Sequence, residues 1–192
     1  MDKTSILKLR IGLIAAVLAT AGCETIPPTI VDRYLTNANV LEFLYADGSP
    51  QIGVGSFDSM PADLREVACL SDGIAPPDNE NYASYIRTSL ITELAAAGRY
   101  SKTASVTLTG VVEHAKLDFI KKIGLGAQGG QWTFVLTVNS SNGASVTVEA
   151  SREYHTGWAP IRCHIAAEEL MPAVQSLMYE LITHGGFQSL LR

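Results

Sequence analysis

Trp132-Thr-Phe-Val-Leu-Thr-Val-Asn-Ser140, then Ser141-Asn-Gly143, then Ala144-Ser-Val-Thr-Val-Glu-Ala150 is the stretch that decides the fold. Trp132, Phe134, Leu136 and Val138 alternate with polar or smaller neighbours, and Val146, Val148 and Ala150 take up the same rhythm, which continues into Tyr154. A period of two with one apolar phase is the signature of strands that bury a single face. The Ser140-Ser-Asn-Gly143 cluster between them predicts a hairpin turn.

The pattern extends upstream. Val106, Leu108, Gly110 and Val112 hold one phase and Ala115, Leu117 and Phe119 the other, a slip that predicts a bulge near Glu113 and His114. The glycine-rich run from Gly124 to Gly130 joins this strand to the next and reads as a mobile hairpin tip. Helical spacing replaces alternation at Tyr82, Ile86, Leu90 and Leu94, with Asp78, Asn79 and Asn81 as caps and Gly98 at the stop. A second helix is expected from about Cys163 to His184, with Pro172 marking a kink or restart inside it. Gln51–Phe57 reads as a further strand, Val40–Tyr45 as an apolar segment of undecided type, and residues 58–80 as a long loop that something must pin. The sum is an α+β two-layer sandwich of order β-α-β-β-β-α, with two helices on one face of a mainly antiparallel four-stranded sheet. It forms one domain over residues 40–192.

The start of the chain is different in kind. Lys3, Lys8 and Arg10 precede the apolar run Ile11-Gly-Leu-Ile-Ala-Ala-Val-Leu18, which has signal-peptide length and is shorter than the roughly 20 residues that span a bilayer. Leu18-Ala19-Thr20-Ala21-Gly22-Cys23 follows and resembles the lipobox of bacterial lipoproteins, with Thr20 where leucine is more usual. The resemblance implies a signal peptide over residues 1–22 and a diacylglyceryl-modified, further acylated (palmitate-type) Cys23. An ordinary secretory signal cut after Ala21 is the alternative. Residues 23–39, with Pro27-Pro28, form the lipidated N-terminus and a stiff tether. Glu24 in place of aspartate after the cysteine implies the outer membrane of a Gram-negative envelope, periplasmic face. Removing Lys3, Lys8, Arg10 and Asp2 changes 14 basic against 19 acidic residues into 11 against 18, a net charge of −7. So acidic a domain offers no electrostatic footprint for nucleic acid.

Two cysteines remain once Cys23 carries lipid. An exported domain folds in an oxidising compartment, and in the predicted topology both helices start at the same end of the sheet, so Cys69 and Cys163 can meet as a disulfide. Two free buried thiols are the alternative.

No catalytic signature emerges. Gly53-Val-Gly55-Ser56 lacks the order of a nucleophile elbow, and Gly124, Gly126 and Gly129 do not open a helix. His114, His155, His164 and His184 are scattered, which gives no metal site, and Glu168-Glu169 reads as a dipole-offsetting pair, not an acid–base couple. No cofactor is expected. Phe119-Ile120, Leu125 and Trp158 either tuck onto the core or offer a contact, and the open sheet face with Thr133, Thr137, Thr147 and Glu149 is solvated or takes a partner.

With the lipobox, the segments Tyr85–Gly98, Leu108-Thr-Gly110 and Ala173-Val-Gln-Ser-Leu177 resemble a group of small proteobacterial lipoproteins of uncharacterised function. In architecture the chain is similar to lipoprotein partners of lipopolysaccharide assembly and auxiliary lipoproteins of ABC-type lipid transport. The expected role is a non-enzymatic accessory or scaffold for an envelope complex, held to its membrane by lipid and bound to an envelope protein. A carrier of an apolar ligand such as lipid, with a cavity between helices and sheet, is the alternative.

Overall fold

A computed structural model describes residues 29–46, 50–70, 72–122, 126–157 and 162–192. In chain order these form strand β1 (Thr29–Ile30), helix α1 (Ala38–Ala46), strands β2 (Gly53–Ser59), β3 (Val67–Cys69) and β4 (Asp72–Ala75), a 3₁₀ turn (Pro77–Asn79) and helix α2 (Tyr82–Ala96). Strands β5 (Thr107–Lys122), β6 (Gly126–Ser140) and β7 (Ser145–His155) follow, then helices α3 (Cys163–Glu168), α4 (Leu170–Thr183) and α5 (Phe187–Leu190).

The fold is α+β, built on a four-stranded sheet in the order β2-β5-β6-β7. The sheet is mixed: β2 and β5 run parallel, while β5–β6 and β6–β7 are antiparallel. A parallel neighbour needs a crossover, and α2 supplies it. Trp132, Phe134, Leu136 and Val138 of the inner strand β6 are all fully buried, against the layer in which α2 lies over β2 and β5 and α4 over β6 and β7. Full burial of each such side chain contributes about 1.5–3 kcal/mol. Trp132 and Phe134 stack with ring centroids 5.8 Å apart, Tyr82 from the start of α2 tilts against both, and the Trp132 indole N–H donates to the Ala166 carbonyl of α3.

Several predicted features stand where expected. The phase slip in β5 is a register shift between Val112 and His114. Asn81 caps α2 by accepting from the Ser84 amide at 2.8 Å, and Gly98 ends it with φ of +68°. The β6–β7 turn carries Gly143 at φ +93°.

Others are corrected. Val40–Tyr45 lies in helix α1, because Val40 and Leu44, one turn apart, are the pair that is buried. The expected loop of residues 58–80 contains β3, β4 and the 3₁₀ turn; β4 pairs with β3 and with β1, so its backbone groups find partners in a second, three-stranded sheet. The restart expected inside the Cys163–His184 segment is present but falls at Glu169, between α3 and α4, which puts Pro172 in the first turn of α4, where a missing N–H costs nothing. Gly126–Gly130 belongs to β6, not to a free tip: Gly129 and Gly130 pair with Ile120 and Phe119 on one side and with His155 and Tyr154 on the other. A β-carbon on Gly130 would stand 2.5 Å from the Tyr154 hydroxyl, so glycine is what lets the ring lie over the strand.

Cys69 ends β3 and Cys163 opens α3, and the two stand at disulfide-bonding distance with Cα atoms 5.8 Å apart. The bond fastens the small sheet to the helical layer. With a sequence separation of 94 between its ends, its removal in the Cys69→Ala/Cys163→Ala double variant is expected to cost about 4 kcal/mol in urea unfolding. Gly110 pairs with Phe57, whose buried ring would sit 2.5 Å from an added β-carbon. Gly110→Val should therefore lose about 1–3 kcal/mol in the same assay.

Candidate functional site

Apart from the Cys69–Cys163 pair, the residues singled out from sequence do not gather into one site among the described residues. Cys23, Leu125 and Trp158 lie outside the described residues. Phe119 is half-buried and packs against the core. On the open sheet face, Thr137 donates to Glu113 at 2.6 Å and pairs with Thr147 at 2.6 Å, while Thr133 pairs with Ser151 at 3.1 Å, so these hydroxyls already satisfy one another across strands. All four histidines are exposed, and among the described residues no group of three or more His, Cys, Asp or Glu side chains comes together. Glu169 stands at the start of α4, as a dipole-offsetting carboxylate would, and reaches Arg152 of β7 at 3.3 Å.

What the structure adds is a strap. After β1 the chain runs along the outside of α2: the Asp32 carbonyl accepts from the Tyr85 hydroxyl, Tyr34 and Asn37 meet Glu93, and the Tyr45 hydroxyl donates to the Ala96 carbonyl at 2.8 Å. From Tyr85 to Ala96 this covers about 17 Å of helix at 1.5 Å per residue. Gln175 of α4 donates to the Leu35 carbonyl at 2.8 Å, so the strap bridges both helices. Asn37 starts α1 by accepting from the Asn39 amide, and Val40 and Leu44 bury the inner side of that helix. Residues 29–37, read from sequence as tether, lie against the domain here, with Val31 and Tyr34 buried.

Glu93 is the fastening point. It is fully buried on α2, its Oε1 accepts from the Tyr34 hydroxyl and from the Asn37 amide at 2.8 Å, and its Oε2 has no hydrogen-bond partner among the described residues. Burial pushes the carboxyl above its ordinary value, against the two hydrogen bonds that favour the ionised form. Tyr34 is raised as well, by burial first and then by Glu93, so its phenol keeps the proton that the bond needs. A charge three residues after Leu90 and next to Leu94 falls within the apolar stripe of α2; that position was the readable sign of a buried partner.

Along the outer side of the strap, Leu35, Phe43 and Tyr45 are exposed, and Phe43 meets Tyr179 of α4 edge-on at 6.4 Å. A groove of about 330 Å³ opens between Phe43, Tyr179, Asn39 and Glu42. A second, of about 280 Å³, lies on the other side of Phe43 toward Ile182 and Phe187. Glu42 is the acidic side chain at the first groove, and His184 lines the second.

Because the folded Glu93 value is raised, its contribution is fully present below the ordinary glutamate range and is lost as pH rises through the raised value, where ionisation is penalised in the folded state. Glu93→Gln keeps an acceptor for Tyr34 and Asn37 and should flatten this part of the urea-stability profile, staying within about 1 kcal/mol of the parent. Glu93→Ala strands both donors beside a cavity and should cost about 2–4 kcal/mol.

No family model matches the chain, and no curated protein matches it. Among solved structures it is similar to protein XCC0632 from Xanthomonas campestris, of family model DUF330, with TM-score 0.55 and 14% identity over 85% of this chain and 95% of that one. Two PelC dodecamer structures from Paraburkholderia phytofirmans align at TM-scores 0.36 and 0.33, with 14% and 17% identity, over 77% and 79% of this chain and 92% of each of theirs. The likeness to XCC0632, at this identity, is one of fold.

Proposed function

We propose that this chain is a lipid-anchored, periplasm-facing accessory lipoprotein of a cell-envelope complex, of the kind found among small proteobacterial outer-membrane lipoproteins, and that it acts as a scaffold without catalysing a reaction. The observation that carries the reading is the account of the three cysteines. Cys69 and Cys163 stand together in the folded domain, as in a protein matured in an oxidising compartment, which leaves Cys23 as the third, at the end of the apolar run and at the lipobox-like position.

Geometry supports the same reading. Thr29 is six Cα steps from Cys23, a reach of about 20 Å when extended, so acyl chains on Cys23 hold the domain close to the bilayer. Each buried methylene contributes about 0.8 kcal/mol, and two or three chains make a lasting anchor. No helix among the described residues is long and apolar enough to cross a membrane. The alternative, a lipid carrier with its cavity between helices and sheet, draws less support: Trp132, Phe134, Leu136 and Leu177 are fully buried at that interface, and the grooves at Phe43 lie outside it.

Mass spectrometry of the protein from detergent-solubilised envelopes is expected to find a mature N-terminus at Cys23 carrying acyl chains, and Cys23→Ser should abolish both the modification and the fractionation with membranes. An unmodified N-terminus on a freely soluble protein would overturn the proposal.

A further inference from the structure

We propose that the outer face of α1, with the adjoining edge of α4, is the docking surface for an amphipathic helix of a partner protein, one whose apolar stripe is flanked by lysine or arginine. The proposal rests on the scaffold reading and names the surface and the chemistry of its partner. Its first support is the distribution of apolar surface. Six large hydrophobic side chains are exposed among the described residues, and four of them, Leu35, Phe43, Tyr45 and Tyr179, lie on the strap, α1 and α4. Phe43 and Tyr179 meet across α1 and α4, whereas Tyr45 lies on the flank of α1 that reaches α2, and aromatic side chains of this kind are enriched where proteins meet.

Shape narrows the occupant. Phe43 lines two grooves, one of about 330 Å³ shared with Glu42 and Tyr179 and one of about 280 Å³ shared with Ile182 and Phe187. A helix presenting large side chains along one stripe can seat them in such grooves, the helix-in-groove mode of recognition.

Charge decides which helix. Neither α1 nor α4 contains a lysine or arginine; their only ionisable acids are Glu42, which lines the first groove, and Glu180, exposed next to Tyr179, with His184 at the far end. An acidic rim on a domain of net charge −7 is repelled by an anionic bilayer. In a two-fold self-association the same rim would oppose itself, because each subunit brings the same patch. Basic residues flanking an apolar stripe complement it.

The test uses the full acylated chain in phosphatidylcholine nanodiscs, with empty discs as the blank. A fluorescein-labelled Leu/Lys amphipathic helical peptide is titrated by anisotropy beside its Leu/Glu counterpart. Saturable one-to-one binding of the Leu/Lys peptide alone is expected, weakened about tenfold or more by Phe43→Glu and unchanged by Met60→Glu, an exposed apolar site away from α1 and α4. Phe43→Glu adds a negative charge, so attraction by charge alone would tighten there; that result, absence of binding, or equal binding of both peptides overturns the proposal. So does a Phe43-dependent dimer in sedimentation, or Phe43-dependent binding to phosphatidylglycerol vesicles without peptide binding. Repeating the titration on the Cys23→Ser chain separates the two readings: loss of the lipid leaves the docking surface to stand or fall on the peptide.

Discussion

The row Trp132, Phe134, Leu136 and Val138 must be covered, and most of the architecture follows from that constraint. These four lie on an inner strand with neighbours on both sides, so no edge displacement can relieve them; only helices laid across the face can take them out of water. The α2 crossover is demanded by the parallel β2–β5 pair, and α4 returns over the other half of the sheet. The aromatic stack reaches further, since the Trp132 indole needs an acceptor and finds it in α3, which the Cys69–Cys163 pair fastens to the small sheet.

Two helices over four strands leave their own outer sides and the seam between them to be dealt with, and the strap occupies that seam. Its contacts are mostly polar and aimed at backbone carbonyls or at one carboxyl. Such contacts specify where a segment lies more than they stabilise the whole, because each hydrogen bond exchanged for water contributes only about 1 kcal/mol. Glu93 is the exception by burial: removing its partners would leave a buried carboxyl unpaired, so Tyr34 and Asn37 are held by the cost of leaving as much as by the bonds themselves.

Much of this was legible because it is periodic. Alternation from Val106 to Ala150, the four-residue spacing of Tyr82 to Leu94, the slip at Glu113 and the caps at Asn81 and Gly98 are local signals, and they stand in the structure. What escaped was set by tertiary partners. The run Val40-Leu-Glu-Phe-Leu-Tyr45 is apolar on every side, so no period distinguishes helix from strand until α2 and α4 choose Val40 and Leu44 as the inner pair. The short strands β3 and β4 exist because β1, some forty residues away, completes their sheet. Gly129 and Gly130 read as a tip because glycine usually marks turns; here it makes room for the Tyr154 ring and the neighbouring backbone. Of the candidate sites, the cysteine pair was accessible through topology, whereas the outer face of α1 could not be seen before α1 was known to be a helix.

The path of the strap ties attachment to orientation. The chain leaves the domain at β1, in the small sheet that the cysteine pair fastens to α3, and then lies along α2 to reach α1. Tension on the N-terminal end therefore falls first on the β1–β4 pairing and the covalent link behind it, and only then on the Glu93 fastening. Under the proposed lipid anchor, about 20 Å of extended chain from Thr29, the domain would stay close to the bilayer. Tyr45, near the end of α1, touches α2 about 17 Å along its axis from where Asp32 does. On the proposed anchor such a surface would stay within reach of other membrane-bound proteins, and tethering would raise the effective concentration of a partner without a single added contact. On the proposed reading, position is the domain's contribution, and the fold's task is to keep the α1 surface presented from a fixed attachment.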